Sequence, residues 1–481
     1  MLNNYVKTFI NQMSRRTGTF LTEKHRRILE FTYDYYEKNR VGPLYANIER
    51  FTGATKEDVE TLFPNGLNSI YTWIGIPIHS TSDICKPVAN INIDEYREIY
   101  FDYNATTHIR KEVRKVLCNY YGSESDFGNP SSSTFKGRAA FDDVMQARKV
   151  IADSLKVSPN EITFTSGGSE ANNLAIKGIG LKYIETKTKG HIITSQIEHP
   201  SILESIQFLG MFGFNITFLE ADKNGLVTAE AVRDSLRSDT IFAAVMAVNN
   251  EIGTINPIAE IGNICRLAEI PFIVDAVQAY GKIELRPKEM GISLMSISAH
   301  KVYGPKGIGA LYVDDMYNVI PLIHGGGQEY YRRAGTENVG HIMAFGKAAK
   351  CAHDEMETEM ARLMDIRHYF IEQLDKFTPG YIINGSLEKR VPTNLNIGFP
   401  DVDSGALLIS LNQIGIYVSS GSACSAGSKE ASPIIDALGI DTNKYGAIRF
   451  SFGLRTTKDD IDYLFKYLPE IINQIKRKTK S

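Results

Sequence analysis

The sequence is poor in cysteine and tryptophan and has no long apolar run. Its 481 residues include five cysteines and one tryptophan, and no stretch reaches the roughly 18 uninterrupted apolar residues that a membrane span needs. The cysteines are odd in number and form no C-x-x-C pair, which argues against a disulfide scaffold and a structural zinc site. We therefore expect a cytoplasmic protein with no metal site and no membrane partner. The five are Cys85, Cys118, Cys265, Cys351 and Cys424.

An excess of charge of one sign is also missing. The chain has 53 Lys and Arg residues against 56 Asp and Glu residues, a formal net charge of -3. Because nucleic-acid binding depends largely on clustered basic residues, we expect no nucleic-acid partner. The N-terminal stretch MLNNYVKTFINQMSRR is too polar for a secretory signal. The length exceeds what one small core can organise and predicts two or three domains.

Residues 1–95 predict a small helical module that ends in a linker. A helix-turn-helix DNA-binding module is the alternative, but 11 Lys and Arg against 11 Asp and Glu in this segment weaken it. The stretch His79–Asn92 is rich in Ser, Thr and Pro and is typical of a linker. A first helix follows Thr22-Glu23, with Ile28, Leu29, Phe31, Thr32 and Tyr35 on one face, and shorter ones are predicted near Leu44–Phe51, Thr55–Leu62 and Leu67–Ile74.

Beyond Glu98, short apolar runs alternate with helical patterns. Strands and helices that alternate over about 200 residues predict an α/β domain with a mainly parallel sheet. We assign this domain to residues 96–355 and a smaller α+β domain to residues 356–481. The predicted strands are Ile162–Thr165, His191–Thr194, Ile216–Leu219, Phe242–Val248, Phe272–Asp275 and Ile308–Val313.

The stretch Ser296–Gly307 contains the lysine on which the predicted site is built. Lys301 directly follows a run of small and apolar residues that has the pattern of a strand end, and a glycine-proline turn comes after it. A lysine held out of water loses its proton more easily and can act as an amine nucleophile. That property suits the attachment of pyridoxal phosphate (PLP). The alternative is an ordinary surface lysine near a turn.

Other polar residues follow predicted strands, where the ligands of open α/β sheets collect. Ser166–Asn173 opens a helix with two glycines and a hydroxyl, which either seats an anion on backbone N–H groups or forms a plain capped turn. Asp275 and Gln278 suit a pyridine nitrogen and a ring oxygen, although an aspartate there can also be a helix N-cap. His199 can stack on a flat ring and move protons, or be structural, and Asn250 adds an amide.

Two further candidates lie near the C-terminus. Cys424 is in a loop of glycine, serine and alanine, Val418–Ser428, where a cysteine has no packing role. We therefore expect it to be a nucleophile. Arg449 lies in a strand-like run, Ala447–Gly453. Its fork of N–H donors suits a substrate carboxylate, with a partly buried ion pair as the alternative.

Taken in order, these motifs closely resemble the cysteine desulfurases of the NifS/IscS type, in the class-V aminotransferase family and fold-type I of the PLP enzymes. The resemblance covers residues 98–465, and Ser-Gly-Ser-Ala-Cys in a long loop resembles the group-I branch. It implies a large PLP-binding α/β domain and a small α+β domain that carries the catalytic cysteine loop. The motifs are Phe101–Thr107, Phe127–Pro130, Ser166–Asn173, Glu198-His199, Asn249–Gly253, Asp275–Gln278, Ser298–Lys301 and the Cys424 loop.

The resemblance implies a role for each matching position. Lys301 would carry the PLP, Asp275 would pair with the pyridine nitrogen, and His199 would stack on the ring. Arg449 would hold the substrate carboxylate. Thr336 would reach the phosphate held by a neighbouring subunit, which implies a homodimer. The other PLP contacts would come from Gly168, Ser169, Asn250, Gln278, Ser298 and His300.

The implied reaction converts L-cysteine to L-alanine. Lys301 would act as the base at the substrate α-carbon, with His199 as a further catalytic group, and the Cys424 thiolate would attack the substrate sulfur to form a persulfide. The mobile glycine-serine loop would then carry the sulfur to an acceptor protein. A selenocysteine lyase or another class-V PLP enzyme is the first alternative; a sulfur-delivery adaptor and a DNA-binding regulator are the others. Iron–sulfur assembly, tRNA thiolation and cofactor thiolation all stay open as destinations.

Residues 15–80 resemble the sulfur-relay proteins of the TusE/DsrC type. The relay cysteines of that family have no clean match, because Tyr71-Thr72 occupies one position and Cys85 lies several residues past the other. The resemblance implies the fold of that family, whereas Cys85 is either a relay residue or a linker cysteine. The matching segments are Thr22–His25, Tyr35–Glu37, Leu62–Gly66 and Ile74–Pro77.

Overall fold

The structure, a computed structural model, describes residues 21–39, 42–43, 45–63, 66–74, 97–123, 127–185, 190–377, 380–421 and 432–479. The described residues belong to two compact units. We call residues 21–74 the helical unit, and residues 97–421 with 432–479 the α/β unit. The predicted linker, Cys85 and Cys424 lie outside the described residues. The predicted domain boundaries at residues 95 and 355 stay predictions.

The helical unit packs amphipathic helices around a small apolar core, as the sequence pattern predicts. Ile28, Leu29 and Thr32, on the predicted face of the first helix, are fully enclosed. The third helix begins with a capping box, in which the side chains of Thr55 and Asp58 each accept the other residue's backbone N–H and so satisfy the helix start. The helices are α1 Glu23–Asn39, α2 Tyr45–Thr52, α3 Lys56–Leu62 and α4 Leu67–Ile74.

Two polar side chains complete the core of the helical unit. Tyr71 is buried, and its hydroxyl donates to the carbonyl of Pro43 at 2.7 Å. His25 Nε2 lies 3.0 Å from the carbonyl oxygen of Leu62, and its ring packs edge-on against Phe63. Tyr71 therefore has a packing role at the position where a relay cysteine was expected. The likeness of this unit to the sulfur-relay family stays a prediction.

The α/β unit contains every predicted strand, together with short strands that the pattern did not indicate. The predicted run Phe242–Val248 is a regular strand only to Ala244, although Val245 and Ala247 still donate to the neighbouring strand. The strands are β1 Ile99–Tyr100, β2 Ile162–Thr165, β3 His191–Ser195, β4 Asn215–Leu219, β5 Thr240–Ala244, β6 Phe272–Asp275, β7 Leu294–Ser298, β8 Gly309–Val313, β9 Ile382–Ile383, β10 Asn394–Pro400, β11 Ile416–Tyr417 and β12 Tyr445–Ser451.

A seven-stranded sheet with the order β2-β8-β7-β6-β5-β3-β4 forms the centre of the described α/β unit. Strands β7, β6, β5, β3 and β4, which are neighbours in this order, run parallel to one another. Strand β8 is antiparallel to both of its neighbours, β2 and β7. Alternate side chains of the strands enter two separate apolar clusters, one on each face. Since most of these strands are buried on both faces, they read as near-continuous apolar runs in the sequence.

Helices cover both faces of the central sheet. Residues of α7 and α8 share one apolar cluster with the strands, and residues of α6, α10 and α11 share the other. The helices are α5 Lys111–Gly122, α6 Phe135–Leu155, α7 Gly168–Glu185, α8 Pro200–Gly210, α9 Ala229–Asp234, α10 Ile258–Leu267, α11 Val339–Phe377, α12 Ser404–Gln413, α13 Pro433–Ala437 and α14 Lys458–Thr479.

The C-terminal part of the α/β unit adds two small sheets. In one, β10 pairs antiparallel with β12 and β9; in the other, β1 pairs parallel with β11. Helix α11, 39 residues long, runs through the predicted boundary at residue 355. Among the described residues, no helix is both long enough and apolar enough to cross a bilayer.

Candidate active site

The carboxyl ends of the parallel strands gather the predicted site residues at one edge of the central sheet. Asp275 is the last residue of β6, and Ser298 is the last residue of β7. His199 follows β3 and Asn250 follows β5. In an open α/β sheet this edge is where ligands bind, because helix N-termini and polar loops converge there.

Lys301 ends a short 3-10 helix that directly follows β7. Its Nζ donates to the carbonyl oxygens of Asn104 and Ala105, the latter at 2.8 Å. The turn after it is tight: Tyr303 has a positive φ of 64°, and a Cβ on Gly304 would lie 2.8 Å from the carbonyl of Ala299. A positive φ at a bulky residue is a local strain that functional sites often contain. The half-buried amine is thus held in a fixed place beside the strand ends.

Gln278 connects Lys301 to a second lysine. Its Nε2 donates to the carbonyl of Asn104, the same oxygen that accepts from Lys301, at 2.9 Å. Its Oε1 accepts from Nζ of Lys282 at 2.8 Å. Burial, with smaller contributions from the positive charges of Lys301 and Arg449, lowers the pKa of Lys282 to about 7.

Hydrogen bonds from neighbouring residues hold the carboxylate of Asp275 in place at the end of β6. It is buried and accepts from Nδ2 of Asn172 at 2.8 Å and from the backbone N–H of Val277 at 2.9 Å. Asn172 also donates to the hydroxyl of Ser201 at 2.9 Å, and that hydroxyl lies 2.7 Å from Nδ1 of His199. One amide therefore orients both the predicted ring-nitrogen partner and the predicted stacking histidine.

His199 caps the N-terminus of α8, and its Nδ1 accepts from the backbone N–H of Ser201 at 3.1 Å. Burial lowers the pKa of His199, although the carboxylate of Asp275 acts in the opposite direction. The imidazole is therefore neutral at neutral pH, and its proton resides on Nε2 because Nδ1 is an acceptor.

The predicted phosphate end is formed by the start of α7 and the end of β7. Gly168 begins α7, so its N–H and that of Ser169 are free of intrahelical partners. A Cβ on Gly168 would lie 2.7 Å from Cγ2 of Val277 and 3.7 Å from Cβ of Ser298, so only glycine fits. Nδ1 of His300 lies 3.1 Å from the hydroxyl of Thr106. Burial, then Lys301 and Lys306, lowers the pKa of His300 to about 4.

Glu198 is a second buried carboxyl beside the site. It accepts from the hydroxyl of Ser195 at 2.6 Å and from the N–H of Met246 at 3.0 Å. Burial, opposed by these hydrogen bonds, raises the pKa of Glu198 to about 8. Glu198 is therefore mostly protonated at neutral pH.

Arg449 lies on β12 and is buried in an ion pair. Its Nη2 donates to Asp102 at 2.6 Å, and its Nη1 donates to the backbone carbonyl of Asn250 at 3.1 Å. Nδ2 of Asn104 donates to the same carbonyl at 3.1 Å. The arginine therefore contacts the loop that carries Asn250 and, through Asn104, the network of Lys301.

Thr336 lies on a different loop from the residues above. It is exposed, on a loop in which Nε of Arg333 pairs with Glu170 at 3.0 Å. Glu170 also accepts from the N–H of Ser166 at 2.8 Å, so this loop is tied to the start of α7. The exposed position is compatible with a contact made to another subunit.

The ends of the loop that contains Cys424 lie beside Asn250. The loop itself is outside the described residues, but Gly421 and Ser432 flank it. The hydroxyl of Ser432 donates to Glu251 at 2.5 Å, and a Cβ on Gly421 would lie 3.6 Å from the same carboxylate oxygen. Both ends of the loop therefore meet at one glutamate next to a site residue.

The residues at this edge fit PLP. Oγ of Ser298 and Oδ1 of Asn250 are buried and have no hydrogen-bond partner among the described residues. A buried polar atom without a partner is costly unless a ligand satisfies it. An amine, a carboxylate, an imidazole and a helix N-terminus are together the donor and acceptor set that PLP needs.

Several residues of this network were missed by the sequence reasoning. Asn172, Asn104 and Asp102 lie inside motifs of the resemblance, but their roles cannot be inferred from the sequence because their partners are far away along the chain. Lys282 had no signal beyond its place four residues after Gln278.

Comparisons with known proteins identify the family of this chain. Residues 99–464 match the family Aminotransferase class-V. The chain is 44% identical over 381 residues to the cysteine desulfurase IscS of Dictyoglomus turgidum, which covers 79% of this chain and 96% of that protein. It is similar to the solved structure of a NifS-like protein (TM-score 0.73, 34% identity, 78% of this chain and 100% of that chain). It is also similar to SspA in complex with cysteine (TM-score 0.65, 36% identity, 74% of this chain and 98% of that chain).

Proposed function

Because this chain belongs to the class-V aminotransferase family and is a PLP-dependent cysteine desulfurase, we propose that Lys301 carries the PLP and that Cys424 receives the sulfur of L-cysteine as a persulfide. The observation that carries the proposal is the network around Lys301, in which an amine, a carboxylate and a neutral imidazole converge on one sheet edge. The complex of SspA with cysteine supports L-cysteine as the substrate.

The residues that would hold PLP divide into two ends. At the ring end, Asp275 would keep the proton on the pyridine nitrogen, His199 would cover the ring, and Gln278 and Asn250 would contact the ring oxygen. At the phosphate end, the backbone N–H groups of Gly168 and Ser169 at the N-terminus of α7 would be donors. The side chains of Ser298 and His300, together with Thr336 from a second subunit, would complete this end.

When bound, PLP supplies an electron sink that stabilises negative charge at the substrate α-carbon. Lys301 takes the proton from that carbon, which its amine reaches because the lysine is anchored at the strand end. His199 is a neutral imidazole with its proton on Nε2, so it can donate without carrying a positive charge into the site. Arg449, held by Asp102, offers the guanidinium that binds the substrate carboxylate.

The sulfur step needs a thiolate close to the substrate. Sγ of Cys424 forms an S–S bond to the substrate sulfur while the C–S bond breaks, and the carbon that is released takes a proton to become the methyl group of alanine. Cys424 is three residues from Gly421, so the chain between them spans at most about 11 Å. Gly421 adjoins Glu251, the neighbour of Asn250, which supports delivery of the thiol to this site.

A paired measurement tests the assignment of Lys301 and Cys424. The absorption spectrum of the purified protein is recorded, L-cysteine is added, and the mass of each cysteine peptide is measured. We expect bound PLP in the wild type and one extra sulfur on the Cys424 peptide. Lys301→Ala should abolish turnover, and Cys424→Ala should form no persulfide.

The matched control is Cys118→Ala, because Cys118 is an exposed cysteine on α5 outside the site. It should retain both the PLP and the persulfide. Alanine formed at the wild-type rate by Cys424→Ala would contradict the proposal and favour a lyase, such as one acting on selenocysteine. PLP attached to a lysine other than Lys301 would contradict the first half of the proposal.

We also propose that the enzyme is a homodimer. Exposed aromatic side chains surround the start of α6 and the segment that precedes Thr336: Phe135 is 97% exposed, Tyr331 79% and Phe127 72%. Phe127 lies beside the start of α6, because Nζ of Lys136 is 5.6 Å from the centre of its ring, and exposed aromatic surface of this kind favours an interface. The segment is held in place from inside by the buried ion pair of Arg148 and Glu329.

Analytical ultracentrifugation tests the dimer. Phe135→Lys should produce monomers and weaken PLP retention, because the contact of Thr336 with the phosphate would be lost. The control is Met211→Lys, since Met211 is also 84% exposed but follows α8, on the opposite face of the central sheet from α6. A wild-type protein that sediments as a monomer would refute the dimer.

The sulfur acceptor is proposed to be a separate protein that receives sulfur from Cys424, with iron–sulfur assembly as one destination and thiolation of tRNA or a cofactor as others. We place the enzyme in the cytoplasm, which the five scattered cysteines without a C-x-x-C pair support.

Removal of residues 1–95 should leave cysteine turnover intact. If the helical unit recruits the acceptor, sulfur transfer to it should fall; unchanged transfer would leave the unit without that role.

A further inference from the structure

Lys282 is a second amine behind the proposed PLP-bearing lysine, and the proposed mechanism does not use it. Three hydrogen bonds connect it to Lys301: Lys282 donates to Gln278, and Gln278 and Lys301 both donate to the carbonyl of Asn104. Both lysines also line one pocket of about 40 Å³, which accommodates about two or three water molecules. The two amines are therefore linked by a side-chain amide and by a space in which water can carry a proton.

Lys282 also lines a second, larger pocket of about 640 Å³. Exposed side chains of α11, including Asp354 and Glu357, border this pocket, so it opens to solvent. The two pockets share Gly281, Lys282, Met356 and Met360. Lys282 thus stands between the solvent and the rear of the site.

Both acidic and basic side chains surround Lys282. Lys301 and Arg449 both act to lower its pKa, and burial is the larger cause. The titratable groups that line the inner pocket besides the lysines are Tyr103, Arg110, Tyr303, Cys351, Glu355 and Glu359. Those that line the outer pocket are Tyr280, Glu284, Arg286, His353, Asp354 and Glu357.

We propose that Lys282 is a positioning residue that takes up the proton that Lys301 must give up when its amine becomes a nucleophile. The transfer is balanced: the ammonium of Lys301 and the neutral amine of Lys282 become the neutral amine of Lys301 and the ammonium of Lys282. This inference rests on the proposed role of Lys301 as the PLP-bearing residue.

The physical reason is the repulsion between two like charges in one enclosed space. Two ammonium groups that line the same small pocket repel each other, so the loss of charge at one favours its gain at the other. The lowered pKa of Lys282, about 7, means that a large share of it is neutral at neutral pH and can accept a proton. The total positive charge of the two lysines then stays constant while Lys301 becomes a neutral, nucleophilic amine.

The first experiment measures the protonation of Lys282 directly. Amines of the full-length protein are labelled with trace acetic anhydride over a range of pH, and the Lys282 peptide is quantified by mass spectrometry. In the PLP-free protein the labelling midpoint should lie near neutral pH. In the PLP-loaded protein and in PLP-free Lys301→Met, the labelling midpoint should rise by about one pH unit or more. At a fixed pH this shift corresponds to about a tenfold loss of reactivity.

Lys223, an exposed lysine far along the chain, is the internal control in the same digest, and its midpoint should not move. A purely structural Lys282 would keep its midpoint whatever happens at Lys301. An unchanged midpoint in Lys301→Met, with the protein folded, would overturn the proposal, and that readout does not depend on PLP.

The second experiment counts protons when PLP is added to the PLP-free protein in weak buffer with an indicator dye. Wild type should release fewer protons than Lys282→Met, with a difference that approaches about one per PLP at mildly alkaline pH. Lys282→Arg should behave like Lys282→Met, because a guanidinium is already charged and accepts no proton. Rescue by arginine would mean that the amine only supports Gln278, and would refute the proposal.

Borohydride reduction followed by peptide mapping separates the two possible failures. PLP fixed on Lys301 with equal proton release in wild type and Lys282→Met would refute the role of Lys282 alone. PLP fixed elsewhere, or not at all, would refute the role of Lys301 and this inference with it.

Discussion

Arg148 and Arg449 are both buried and both pair with a carboxylate, yet the two pairs are closed to different degrees. Arg148 binds Glu329 through two parallel contacts of 2.7 and 2.8 Å. Arg449 has a single contact of 2.6 Å with Asp102. The side chain of Glu329 is 3% exposed, whereas that of Asp102 is 19% exposed.

The groups that surround the two arginines also differ: those around Arg148 close its ion pair, and those around Arg449 belong to the proposed site. The guanidinium of Arg148 lies over the rings of Phe164 and Tyr330, at 4.8 and 5.2 Å from their centres. Arg449 instead contacts the carbonyl of Asn250, a residue of the proposed site. A pair that is bidentate and covered by aromatic rings has no room for a ligand, so Arg148 serves the fold. A pair that is single and partly open can share its arginine with a substrate carboxylate.

The largest effect is expected from breaking the closed pair. Arg148→Met leaves Glu329 as an unpaired buried carboxylate, so the free energy of unfolding of the α/β unit should fall by about 3–5 kcal/mol. Urea unfolding followed by circular dichroism measures this loss. The fluorescence of Trp73, the one tryptophan of the sequence, monitors the helical unit in the same samples.

The double variant Arg148→Met with Glu329→Gln is the control for that interpretation. It removes the uncompensated charge and should recover part of the lost stability. With PLP in excess, the kcat/KM of the folded, dimeric single variant should stay at the wild-type value, because Arg148 contacts no proposed site residue directly. A fall in kcat/KM without a loss of stability would contradict the structural role of Arg148.

The second effect is on catalysis and comes from the open pair. Arg449→Lys keeps a positive charge beside Asp102 but loses the planar fork. We expect kcat/KM for L-cysteine to fall about 10- to 100-fold, the equivalent of one charged hydrogen bond. Alanine formation at varied cysteine concentration measures it. If kcat/KM stays at the wild-type value, Arg449 is a second structural pair and the comparison fails.

Glu198 sharpens the comparison, because it is a buried carboxyl without an arginine. Its pKa is raised to about 8, so the folded protein holds a proton that the unfolded chain releases between its usual pKa of 4.5 and this value. Stability should therefore fall as the pH rises through that window, by up to about 1.4 kcal/mol per unit. Glu198→Gln, which cannot ionise, should show a flatter dependence of Tm on pH. Parallel curves for the variant and the wild type would show that Glu198 is ionised in the folded state.

Much of this architecture follows from local pattern. The α/β class and the PLP fold-type I assignment are confirmed, because parallel strands buried on both faces give apolar runs of a recognisable length. The helices of the helical unit were also predicted, since their apolar positions recur at helical spacing. The site residues at strand ends could be proposed because parallel strands deliver their carboxyl ends to one edge.

The pairing within the site could not be predicted in the same way. Asp102 and Arg449 are 347 positions apart, and Asn104 and Lys301 are 197 apart. No local periodicity connects residues at such separations, so Arg449 was interpreted from its own chemistry without its partner. The same reason explains why Lys282 was missed: its importance depends on which pocket it lines, not on the residues beside it.

The smallest effect is expected one residue after Arg148. Lys149 pairs with Asp153 at 2.6 Å, as closely as the buried pairs, but the two side chains are 57% and 59% exposed. Water solvates both charges whether or not they meet, so Lys149→Met should change the free energy of unfolding by no more than about 0.5 kcal/mol. The same urea experiment used for Arg148→Met measures it, on the same helix. A loss comparable to that of Arg148→Met would mean that distance, not burial and closure, decides what an ion pair contributes in this protein.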